Sequence, residues 1–155
     1  MPRRQRGGAK KEVGKLSARR RNSIAVTEAD AERLTRLLQA HGGRVDAPRT
    51  LPALQRKLDE ADLLNSRLIP KDVVTMNSSV RLRNLESGEA VVQTLAFPHG
   101  ADPAQSRVSI LTSLGVAMLG HRKGDVVNCE APGGPKRFRI ERVLYQPEAA
   151  NDDDR

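Results

Sequence analysis

Aromatic side chains are almost absent: Phe97, Phe138 and Tyr145 are the only three in 155 residues, and there is no tryptophan. Proteins that hold single-stranded nucleic acid by base stacking need a row of aromatic platforms. This chain has almost none to offer. Cysteine is as scarce, with Cys129 alone. One thiol makes neither an internal disulfide nor a cysteine-rich zinc site, which points to a reducing cytoplasm. No apolar run approaches the ~18 residues of a membrane span. The opening "MPRRQRGGAK" is basic, but no apolar segment follows it, so it does not read as a secretory signal.

Charge is plentiful and unevenly placed. The net charge is +8, and residues 1–21 hold nine basic side chains against one acid, Glu12. The rest of the chain has 18 basic and 18 acidic residues, so the whole excess lies in the arm. With little apolar surface to bury, residues 1–23 are expected to be a disordered basic arm. Arg3, Arg4, Arg6, Lys10, Lys11, Arg19, Arg20 and Arg21 are its candidate contacts to nucleic-acid phosphates. A solvated tail is the competing reading.

The first periodic segment is "TEADAERLTRLLQAHGG". Thr27 followed by Asp30 is an N-capping pattern. Ala31, Leu34, Leu37, Leu38 and His41 recur three or four apart, on one helical face, and Gly42-Gly43 ends the run. Thr50 is expected to cap a second helix, with Pro52 tolerated in its first turn. Its apolar face would be Leu51, Leu54, Leu58, Ala61 and Leu64 or Asn65. The two helices with a short turn predict a stubby antiparallel hairpin over 24–70. A 15-residue helix is only about 22 Å long. From Val73 the pattern turns to strand: 73–75 with 80–83, then 90–97, 107–111, 125–129 and 136–145, with one short helix over 113–119. The fold class is therefore α+β, a helical hairpin followed by a small antiparallel sheet domain over 71–148. An acidic tail, 149–155, closes the chain.

Nothing in this pattern looks catalytic. His41, His99 and His121 lie far apart beside glycines or prolines, with no cysteine or carboxylate at ligand or triad spacing. Cys129 has no activating neighbour and reads as a buried or edge thiol. "GHRKGD" lacks the spacing of a phosphate loop and reads as a turn, and "PGGPK" reads as a hairpin turn. Acid pairs such as Asp59-Glu60 read as solvated. No metal or cofactor site is expected, and the chain reads as a binding module.

The stretch "LGVAMLGHRKGDVV…APGGPKRFRIERVLY" resembles the C-terminal domain of the bacterial Gre transcript-cleavage factors. "VVTMNSSVRL…SGE", "YQPEAAND" and "TEADAERLTRLL" are similar to short-hairpin members of that family, the regulators of nucleoside diphosphate kinase. The resemblance runs from about Ile24 to Asp152. It implies an FKBP-like fold for the sheet domain, a coiled-coil hairpin, and RNA polymerase as partner. The domain would dock at the rim of the polymerase secondary channel through Leu111, Thr112, Ser113, Leu114 and Gly115. Leu114 stands where the family has proline, which implies a looser loop and leaves Ser113 as helix cap and contact. The hairpin tip would be Arg44, Asp46 and Arg49.

In cleavage factors, acids at the tip help hold a catalytic magnesium. Here Asp46 is the tip's only acid and sits between two arginines, whereas magnesium wants several hard oxygens. The expectation is a monomeric, cytoplasmic, non-catalytic transcription regulator that does not stimulate cleavage. The alternatives are a cleavage factor using Asp46, or a protein that contacts nucleoside diphosphate kinase directly. Prolyl isomerase activity is not expected, because its aromatic cage is missing.

Overall fold

The computed structural model describes residues 24–151. The basic arm, including the candidate contacts from Arg3 to Arg21, lies outside the described residues, as do residues 152–155 of the acidic tail. Strand β1 (Ala25–Thr27) leads into α1 (Glu28–His41), then α2 (Leu51–Glu60) and β2 (Asp62–Leu64). A larger sheet follows: β3 (Ser79–Asn84), β4 (Ala90–Ala96), β5 (Arg107–Ser109), β6 (Val126–Ala131) and β7 (Gly134–Tyr145), with the short α3 (Ser113–Met118) between β5 and β6. Among the described residues no helix is long and apolar enough to cross a membrane.

The first helix forms as its sequence predicts. Thr27 Oγ1 accepts the Asp30 N–H at 3.0 Å, satisfying one of the orphan donors at the helix start. Leu34 and Leu38 are buried. The second helix departs from expectation at both ends. Thr50 makes no side-chain cap. Its hydroxyl instead donates to the carbonyl of Leu111, 61 positions away, at 2.5 Å. The helix also stops at Glu60 rather than continuing to Leu64. Asp62–Leu64 is a strand, paired in parallel with Ala25–Thr27. Three residues are too few to show a period, and their partner strand lies far back in sequence, so apolar spacing alone favoured helix.

The main sheet has the order β5-β4-β3-β7-β6. It is not wholly antiparallel. β4 and β5 run parallel, with Thr94 opposite Arg107, because the 97–106 loop carries the chain back to the same end before β5 begins. The expected strand at 73–75 is not one either. Val73 makes an isolated bridge to Arg122, and β3 starts only at Ser79. Register shifts between β3 and β7 at Ser79/Val80 and Arg81/Leu82 insert bulges, which curl a sheet. Two turns form as expected: Gly88, at φ 80°, lies between β3 and β4, and Gly133, at φ 93°, between β6 and β7.

Residues 73–78 work as a junction. Asp30 of α1 accepts the Met76 N–H at 3.1 Å, and Thr75 Oγ1 donates to Glu148 at 2.6 Å. Gln146 Nε2 donates to the carbonyls of Pro70 and Val73, both at 2.8 Å. Leu34, Leu38, Leu51, Leu54 and Leu58 from the helices share one core with Val80, Leu82, Leu95, Val127 and Ile140 from the sheet. The helices are thereby packed on the sheet by ordinary apolar burial.

Candidate functional site

The segment 111–115 follows β5 and opens α3. Its backbone is fixed by short side chains. Leu111 N–H donates to Ser109 Oγ at 3.0 Å, and Thr112 Oγ1 donates to the Ser109 carbonyl at 2.7 Å. Thr112, not Ser113, is the helix cap, accepting the Gly115 N–H at 3.0 Å. Ser113 Oγ instead accepts the Glu130 N–H at 2.8 Å and ties the loop to β6. Gly115 is buried against the same turn. A Cβ there would sit 2.2 Å from the Ser109 carbonyl oxygen, so no larger residue fits without backbone movement. Leu114 packs partly buried against the core.

The helix pair is anchored on the same element. Thr50, at the start of α2, bonds Leu111 as described. One face further along, Lys57 Nζ donates to the carbonyls of Val116 and Ala117, at 2.6 and 3.0 Å. Burial pushes the Lys57 ammonium down to about 7. These carbonyls end α3, where the helix dipole favours a cation. Neither Thr50 nor Lys57 stood out in the sequence. Thr50 looked like a cap, and Lys57 lay on the polar face of an amphipathic helix.

The 42–50 connection carries Arg44, Asp46 and Arg49. The structure brings Arg44 and Asp46 together, at 3.5 Å, with both side chains largely exposed. Val45 between them is fully exposed. Arg49 is exposed and precedes the Thr50 anchor, so the C-terminal end of this connection lies beside the 111–115 loop.

One histidine does have a carboxylate partner, contrary to expectation. His121 Nδ1 lies 3.0 Å from Asp125 Oδ2, which also accepts the Arg122 N–H. Burial lowers the His121 pKa, the Lys57 charge lowers it further, and Asp125 opposes both. The pair closes the turn between α3 and β6. Cys129 is buried, and its thiol is pushed up by that burial and by Glu130. Among the described residues no group of three or more histidines, cysteines or acids could hold a metal ion.

Residues 69–145, from the junction through β7, match the family described as "Transcription elongation factor, GreA/GreB, C-term". The regulator of nucleoside diphosphate kinase of Escherichia coli (strain K12) is 39% identical over 135 residues, covering 85% of this chain and 96% of that protein. The chain belongs to the GreA/GreB family. A solved GreA/GreB elongation factor from Nitrosomonas europaea superposes with a TM-score of 0.69 at 37% identity, over 79% of this chain and all of the other. The transcription elongation factor GreA of Methylococcus capsulatus is 29% identical over 93 residues, 59% of each chain. The family match contains the whole 111–115 loop, while α1, α2 and the connection between them lie ahead of it.

Proposed function

We propose that this GreA/GreB family member is a monomeric, non-catalytic transcription regulator that acts in the cytoplasm. It binds RNA polymerase near the secondary channel through Leu111 to Gly115 and does not stimulate transcript cleavage. On this reading the sheet and α3 are the counterpart of the family's FKBP-like domain. The α1–α2 pair is its coiled-coil hairpin in shortened form. The basic arm adds contact to nucleic acid or to an acidic polymerase surface.

One observation carries the non-catalytic part. The Thr50–Leu111 hydrogen bond holds the end of the tip connection beside the docking loop. A tip anchored there cannot extend far beyond the surface that docks. Its single acid is also paired with Arg44, which leaves little field to offer a divalent cation.

The test is co-sedimentation with core RNA polymerase, comparing the full chain with one lacking residues 1–21. Binding by both at moderate salt is expected. Binding by the full chain alone, and only at low salt, means generic polycation attraction, and the docking assignment is then withdrawn. A second reading rests on the name of the Escherichia coli relative: direct contact with nucleoside diphosphate kinase. Capture of the purified kinase without polymerase would favour it.

A further inference from the structure

A groove of about 940 Å³ runs between α1 and the β4–β5 side of the sheet, away from the docking loop. Its walls include Arg33, Arg36, Arg107, Phe97, His99 and Tyr145, and among the described residues no aspartate or glutamate lines it. In a chain with three aromatic residues, two of them, Phe97 and Tyr145, line this groove. The Phe97 and His99 rings lie nearly parallel, at 13° and 6.1 Å between centroids. The Arg33 guanidinium sits over Phe97 at 5.0 Å and is held by buried Asp30. Arg33 is therefore a fixed wall that keeps the Phe97 platform in place.

Arg36 and Arg107 differ from Arg33. Both are exposed, and neither forms an ion pair with an acid among the described residues. Two such guanidiniums lining one groove, with no acid beside them among the described residues, repel each other and attract an anion. Planar guanidinium forks suit phosphate oxygens. The floor is polar as well: the Ser79 and Thr94 hydroxyls meet there at 2.8 Å. Cations, a stacked ring pair with one exposed histidine, and hydroxyls together match a ligand with phosphates, a planar base and a sugar. The volume lies within the range of small-molecule sites.

We infer that this groove binds a free nucleoside polyphosphate, with Arg36 and Arg107 on the phosphates and the base stacked on the Phe97–His99 platform. The site is separate from the 111–115 loop, so it stands or falls independently of polymerase docking.

Calorimetric titration of the full chain with ATP and GTP, and with inorganic triphosphate for comparison, tests this. A nucleotide is expected to bind at one site, about tenfold tighter than triphosphate, because stacking adds to the charge term. Arg36→Ala and Arg107→Ala should each weaken it about tenfold. His99→Ala should erase the advantage over triphosphate. Arg139→Ala removes an exposed charge on β7 outside the groove and should change nothing. Equal binding of nucleotides and triphosphate, or an Arg139→Ala loss equal to that of Arg107→Ala, overturns the inference in favour of non-specific attraction to the cationic chain. Displacement of nucleotide by a short single-stranded RNA at lower concentration overturns the free-nucleotide assignment and makes the groove a nucleic-acid site.

Discussion

Lys57 on α2 donates to the carbonyl oxygens of Val116, at 2.6 Å, and Ala117, at 3.0 Å, where α3 ends. A lysine on the polar face of one helix thus closes the end of another, 59 positions away. Thr50 and Lys57 together fasten α2 along the element that opens with the 111–115 loop.

Lys57 gives a pH dependence whose sign follows from its depressed pKa, about 7 in the folded protein against 10.5. Below about 7 both folded and unfolded chains hold the proton, and stability does not change with it. Between these values the unfolded chain holds a proton that the folded one has released, so stability rises with pH. Above 10.5 the effect is flat. His121, also depressed, is the titrating neighbour, so the Lys57 contribution is read as a difference between proteins. Urea unfolding from pH 6 to 10 should show a rising stability for the wild type that Lys57→Met lacks. Parallel profiles would place Lys57 in solvent.

Asp30 is a buried carboxylate held by Arg33 and the Met76 N–H. Burial raises its pKa, and these partners pull the other way. The folded chain therefore holds its proton to higher pH than the unfolded one, and this group's contribution falls as pH rises above 3.8 through the raised value. Asp30→Ala should cost about 3 kcal/mol, since it strands a buried N–H and a partly buried guanidinium. Asp30→Asn keeps an acceptor for Met76 and should cost less. Equal losses in urea titrations would mean the Met76 bond contributes nothing.

Gly115→Ala places a methyl 2.2 Å from the Ser109 oxygen and 2.9 Å from the Ile110 Cα. Both are backbone atoms, so the loop itself must move. About 1–3 kcal/mol of stability should be lost, as in other overpacked sites, and co-sedimentation with polymerase should weaken markedly. Gly88→Ala is the control: φ is 80°, but nothing lies within 4 Å of the added Cβ. It should cost about 1–2 kcal/mol in backbone strain and leave polymerase binding intact. A Gly115→Ala protein that binds normally would remove the loop from the docking surface.

Asp46→Ala changes an exposed acid that pairs with Arg44 at 3.5 Å. Exposed pairs of this kind contribute little, so stability should stay within about 0.5 kcal/mol. Polymerase docking should be unchanged, and stalled complexes should show no cleavage stimulation with either protein. Stimulation by the wild type that Asp46→Ala abolishes would make this chain a cleavage factor.

Much of the local structure was legible. The Thr27 cap, the leucine stripe of α1, the alternating Val80 and Leu82 of β3 and the glycine turns each depend on residues within a few positions, where period and φ preference act directly. Most of what was missed shares one cause. The β1–β2 pair, the parallel β4–β5 pair, the Thr50–Leu111 and Lys57–Val116 bonds and the groove around Phe97 all join residues distant in the chain. Two misses were local. The α3 cap fell on Thr112, one position before the expected Ser113, and the His121–Asp125 spacing of four was visible, but a turn rather than a helix brings that pair together.

The sequence by itself determined the sorting of charge, the helical and strand segments, and the scarcity of rings and thiols, because these are properties of composition and short-range period. Only the tertiary structure decided that α2 lies fastened along α3, and that Arg36 and Arg107 line a groove with most of the chain's aromatic rings. Such meetings depend on which faces the apolar core draws together, and a residue's neighbours in sequence do not report them.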